Sequence, residues 1–142
     1  MKKSRYEAAL EAVKLGEEHE KNYKGARWIL DPLDGTTNFI HQFPIFCISL
    51  ALEVDGVLEI AVINVPMLGQ TWTAQRGQGA FCNGKAVRVT QNTEFSKALL
   101  ATGFFPAEGE SMSEQIRIFS NLINKARGIR RAGAAAYDLA LV

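Results

Sequence analysis

Two carboxylates, Asp31 and Asp34, stand three positions apart in the stretch Asp31-Pro32-Leu33-Asp34-Gly35-Thr36-Thr37-Asn38-Phe39. With two hydroxyls, an amide and the main-chain carbonyls between them, they make a run of hard oxygen donors, which suit Mg²⁺ or Mn²⁺ rather than zinc. Pro32 fixes one φ angle and removes a competing N–H, and Gly35 permits a sharp turn or a close backbone approach. The residues after Gly35 could open a short helix whose unbonded N–H groups attract an anion. A metal and a phosphate could then share one small site. The plain alternative is a turn with an Asp cap, so the surroundings must decide.

Those surroundings predict a mainly antiparallel sheet with flanking helices. Residues 4–15 read as a helix ended by Gly16, with Ala9, Leu10 and Val13 on its weak apolar face. Trp28-Ile29-Leu30 reads as a buried strand that ends at the acids. Two apolar runs, 45–54 and 57–65, are joined by Asp55-Gly56, a strong hairpin signal. Pro66 ends the second run. Residues 70–75 alternate as a third strand, residues 76–79 form a loop, and Asn83-Gly84 is a second hairpin turn between 80–82 and 86–89. The sheet is therefore expected over about residues 45–90. Residues 98–102 read as a strand and 111–126 as a helix with Ile116, Ile118, Phe119, Leu122 and Ile123 inward. Residues 128–131 read as a short strand or a connector, and 133–142 as the entry to a helix with no stop signal before Val142.

The 142 residues, 47% apolar and 22% charged, fit one globular domain, 1–142, with a real core. A net charge of +1 gives no reason to expect nucleic acid or an anionic membrane as partner. The longest apolar stretch, 45–52, is too short to span a bilayer, and no signal core follows the basic start. A cytoplasmic location is expected. Cys47 and Cys82 lack metal-ligand spacing and read as small core residues. The glycines at 77 and 79 read as a hairpin connection rather than a dinucleotide site, because no helix follows. His41 reads as a loop or surface residue, and Arg130-Arg131 as a surface pair or a guide for an anion.

The string DPLDGTTNF resembles the signature of the inositol monophosphatase family, Mg²⁺-dependent, lithium-sensitive phosphatases of small phosphorylated metabolites. Trp28-Ile29-Leu30 before it, Phe43-Pro44 after it, Arg76 to Gly84, Ala101-Thr102-Gly103-Phe104 and Arg130-Arg131-Ala132-Gly133 fall in family order. The resemblance implies an α/β fold, the layered αβαβα sugar-phosphatase type, here incomplete. It implies two or three Mg²⁺ ions, with Mn²⁺ as a substitute. By this resemblance Glu17, in Gly16-Glu17-Glu18, is a metal ligand and helps orient the attacking water. Asp31 bridges metals, the Leu33 carbonyl is a ligand, and Asp34 holds another metal and contacts substrate. Thr36 hydrogen-bonds the nucleophilic water, and the Gly35 and Thr36 N–H groups cradle phosphate. Gly133-Ala134-Ala135 takes the place of the family's Gly-Ser/Thr-Ala substrate wall.

Two departures stand beside the resemblance. Relatives carry a later Trp-Asp whose aspartate completes the metal site, whereas Trp28 and Trp72 are followed by Ile29 and Thr73. Ala134 also replaces a hydroxyl residue. The chain thus looks like the central part of the family's catalytic domain. Missing layers would leave apolar faces exposed, so low stability or self-association, such as a homodimer, is expected. The expected function is Mg²⁺-dependent hydrolysis of a small phosphomonoester, inositol monophosphate first. Fructose bisphosphate, histidinol phosphate and adenosine bisphosphate are alternative substrates. The alternative of another class is a non-catalytic chain that binds metal or a protein partner.

Overall fold

The computed structural model describes residues 24–104 and 110–142. The helix expected at residues 4–15 and Glu17 lie outside the described residues. The chain divides into two compact units, one holding residues up to Arg88 together with Ala134–Val142, the other Val89–Gly133.

In the first unit, six strands form one antiparallel meander in chain order: β1 (Ala26–Asp34), β2 (Cys47–Val54), β3 (Val57–Val65), β4 (Gln70–Gln75), β5 (Gly79–Cys82) and β6 (Lys85–Val87). A short helix, α1 (Thr36–Ile40), links β1 to β2. Two of the hairpins, β2–β3 and β5–β6, rest on turn chemistry visible in the sequence. Asp55 and Gly56 both adopt positive φ (50° and 79°), as do Asn83 and Gly84 (48° and 75°), which is what a two-residue hairpin turn requires. The Asn83 side chain also accepts from Thr71 N–H at 2.8 Å and donates to the Gly69 carbonyl at 2.9 Å. The sheet begins earlier than expected, because β1 pairs with β2 from Ala26 onward.

β1 ends at Asp34, so the acids close the strand as expected. One detail corrects the sequence reading, because the strand is not buried: Trp28 is 60% exposed and Leu30 41% exposed. β1 is the edge of the sheet, and its pairing sets Trp28 opposite Leu52 and Leu30 opposite Leu50. Strand residues alternate between faces, so Ile29 and Asp31 share the other face with the facing rows Ala51–Ala61–Ala74 and Ser49–Ile63–Trp72.

That second face carries the core. Cys47, Val65 and Ala134 are fully buried and Tyr137 nearly so, with Ile45, Ile63, Trp72 and Ala136 packed against them. Cys47 meets the expectation of a small core residue, whereas Cys82 is only half-buried. Ala134 and Tyr137 come from the last helix, α3 (Ala135–Ala140), which lies against β2 and β3. The Tyr137 hydroxyl lies 3.1 Å from Gln70 Oε1 and donates to it, tying α3 to β4.

In the second unit, β7 (Leu99–Ala101) and β8 (Gly128–Arg130) pair in parallel and are joined through helix α2 (Glu110–Ile123). A parallel pair needs such a crossover. Phe119 packs near Phe104, with ring centroids 5.7 Å apart. These rings, with Leu100, Ile118, Leu122 and Ile129, line an apolar hollow of about 220 Å³. Ile116, Ile118 and Ile123, expected inward, are about half exposed. Among the described residues, no helix is long and apolar enough to cross a membrane.

Candidate metal and phosphate site

The pairing of β1 with β2 slips between Asp31 and Asp34, so three β1 steps answer two on β2. The extra residue makes a local bulge, a device that re-aims side chains at a sheet edge. An Asx turn shapes it: Asp31 Oδ1 accepts the Leu33 N–H at 3.0 Å. Thr36 Oγ1 then donates to the Leu33 carbonyl at 2.9 Å. These two bonds fix Asp31, the Leu33 carbonyl and Thr36 relative to one another.

Gly35 turns the strand into α1. Its φ is 87°, and a Cβ there would lie 3.0 Å from the Ile45 carbonyl oxygen and 3.2 Å from Phe46 Cα. Both constraints demand glycine. Gly35 is the N-cap of α1 and offers no side chain to it. The Asn38 side chain anchors the turn by donating to the Ile45 carbonyl at 2.6 Å.

Asp34 joins β1 to the start of α3. Its Oδ2 accepts the Ala136 main-chain N–H at 2.7 Å and lies 3.5 Å from Cys47 Sγ, whose thiol donates to it. Helix α3 starts after Ala134, which has no capping side chain. Asp34 therefore supplies from β1 the cap that a Ser or Thr would supply locally. Burial, and then the Asp34 charge, push the Cys47 thiol up to about 12, so it stays protonated and acts as a donor. Burial followed by Asp34 also raises the Asp138 carboxyl above its ordinary range. Among the described residues, nothing donates to Asp34 Oδ1.

The residues expected from sequence fall as follows. Asp31, Leu33, Asp34, Gly35 and Thr36 sit together at the end of β1 and the start of α1. Ala134 and Ala135 stand at the start of α3, next to the Asp34–Ala136 bond, with the Ala134 methyl buried in the core. Gly133, with φ 83°, is the last residue of the second unit. Glu17 lies outside the described residues. His41 is exposed, as are Arg130 and Arg131. Sequence reasoning missed Cys47 and the Ala136 N–H of α3. The available signal was Ala134 itself: a helix starting after alanine must borrow its cap.

The donor set fits Mg²⁺ in kind: two carboxylates and a carbonyl that keeps a second lone pair beside the Thr36 hydroxyl. Among the described residues, no three His, Cys, Asp or Glu side chains gather to hold a metal by themselves.

Comparison with known proteins agrees with this geometry. The model of the inositol monophosphatase family matches residues 6–142. Nus factor SuhB of Pseudomonas aeruginosa is 44% identical over 117 residues, covering 81% of this chain and 43% of its own length. Nus factor SuhB of Escherichia coli is 41% identical over 125 residues, 88% of this chain and 47% of that protein. The crystal structure of extragenic suppressor protein SuhB from Bartonella henselae superposes with a TM-score of 0.78 at 40% identity, over 83% of this chain and 46% of that one. Inositol monophosphatase from Anabaena gives 0.75 at 37% identity, over 87% and 48%. The chain thus spans about half the length of the curated relatives it matches. It carries the sugar-phosphatase fold of these structures, in part, and belongs to the inositol monophosphatase family.

Proposed function

We propose that this chain serves the Mg²⁺-dependent hydrolysis of a small phosphomonoester, with inositol monophosphate as the first candidate substrate. The observation that carries the reading is the oxygen-rich bulge: Asp31, the Leu33 carbonyl and Thr36 held by two internal hydrogen bonds, with Asp34 pinned beside them. Asp31, Asp34, the Leu33 carbonyl and Glu17 would hold the metal. Mg²⁺, when bound, lowers the pKa of water and offsets charge on phosphate oxygens.

The chain's own residues do the rest. The Thr36 hydroxyl gives its hydrogen to the Leu33 carbonyl, so toward a water molecule it can only accept. It therefore draws one water hydrogen to itself and turns a lone pair of that water away, toward the phosphorus. The Gly35 and Thr36 N–H groups meet the phosphate oxygens. Ala134 and Ala135 border the alcohol through their main chain, since the Ala134 methyl is buried.

The test is phosphate release from inositol 1-phosphate, with and without Mg²⁺, by the wild-type chain and Asp31→Asn. Release that depends on Mg²⁺ and disappears in the variant is expected; equal release by both removes the mechanism. The names of the SuhB relatives favour a second reading, a protein-binding role without turnover. Mn²⁺ binding without phosphate release from any sugar phosphate would support it.

A further inference from the structure

We propose that Cys47 is a positioning residue for Asp34: its buried thiol and the α3 N-terminus grip Oδ2 together, leaving Oδ1 as the oxygen presented to metal. This rests on the metal reading above and adds to it a residue that contacts no substrate.

The geometry is specific. Asp34 lies in β1 directly opposite Cys47 in β2, so the two side chains share a face at the point where the strand pairing resumes after the bulge. Sγ lies 3.5 Å from Oδ2, within the range of a sulfur hydrogen bond. The Ala136 N–H reaches the same oxygen from the first turn of α3 at 2.7 Å. A carboxylate with one donor can swing about its Cβ–Cγ bond. Two donors on Oδ2 set the plane of the group and the direction of Oδ1. Cys47 is wholly buried, so water cannot replace the thiol if it is removed.

A residue behind a metal ligand acts through ligand orientation, and its loss weakens metal affinity by about tenfold or more. Simple core packing would instead lower stability and leave affinity alone.

The experiment uses the whole chain, Cys47→Ala and Cys47→Ser, with Mn²⁺ binding measured by calorimetry and melting temperature followed in parallel. About tenfold weaker Mn²⁺ binding is expected for Cys47→Ala, with most of the loss recovered by Cys47→Ser, whose hydroxyl can still donate. Affinity unchanged in Cys47→Ala, or equally weakened in both variants, overturns the proposal. A wild-type chain that binds no Mn²⁺ overturns the metal reading and this inference together, which separates the two failures. Should Cys47→Ala not fold, the infrared S–H stretch of the metal-free wild-type chain decides, with Cys82→Ala to assign the band. A band at lowered frequency that moves up in Asp34→Ala is expected, and a band indifferent to Asp34 overturns the proposal.

Discussion

Replacing Gly35 by alanine tests whether the turn after the acids is built by close approach or merely by flexibility. A left-handed φ costs a residue with a Cβ about 1–2 kcal/mol. Alanine returns about 0.4–1 kcal/mol by restricting the unfolded chain. The added methyl would sit 3.0 Å from the Ile45 carbonyl oxygen and 3.2 Å from Phe46 Cα, main-chain atoms that cannot step aside as a side-chain tip would. Crowding of that kind costs about 1–3 kcal/mol. The net expectation is a loss of about 2–4 kcal/mol. Gly56→Ala is the control. Its φ, 79°, is nearly the same, but nothing lies within 4 Å of its Cβ position, so only the conformational part, about 1 kcal/mol or less, should appear. Urea unfolding of the wild type and both variants measures the difference directly. Equal midpoints for the two variants would refute the close-approach argument.

Three further outcomes follow from the same contacts. Tyr137→Phe removes the bond to Gln70 and should cost about 1 kcal/mol in urea unfolding. With chelator present, the Asp138 carboxyl titrates above its ordinary 3.8, chiefly through burial and then through Asp34. The folded state holds that proton longer than the unfolded chain, so stability is lost as pH rises from 3.8 through the raised value. Asp138→Asn should therefore be more stable than the wild type at neutral pH and gain nothing below 3.8, read from melting curves across pH. In a thiol-labelling assay of the native protein, half-buried Cys82 should react first and Cys47 only on unfolding, because Cys47 is fully buried and its thiol is pushed up to about 12.

What could be read from the residues was local. Asp55-Gly56 and Asn83-Gly84 named their turns because φ > 0 at both positions is a property of those residues. The oxygen donors of the Asp31–Thr36 stretch were legible as chemistry for the same reason. What escaped depends on partners distant in sequence. Trp28 looked like core by composition, but it lies on an edge strand, and exposure there is set by what packs on the sheet rather than by its own side chain. Cys47 looked like filler because a thiol becomes a directed donor only when a carboxylate stands opposite, which the pairing register decides. The Asp34 cap on α3 spans 102 residues, and no periodicity reports such a contact.

That span has a consequence for the order of folding. The meander from β1 to β6 joins neighbours in sequence, and such contacts close quickly. The Asp34–Ala136 bond must close a loop of 102 residues, an entropic cost of about 4 kcal/mol beyond the constant term. A contact so costly in chain entropy forms only after the sheet supplies a surface on which α3 can dock. The oxygen-rich bulge therefore exists early, as part of a hairpin, while the carboxylate orientation at Asp34 is set at the end. On a ribosome, the sheet can assemble while the chain is still emerging, but Asp34 acquires its final geometry only once residue 136 has been made.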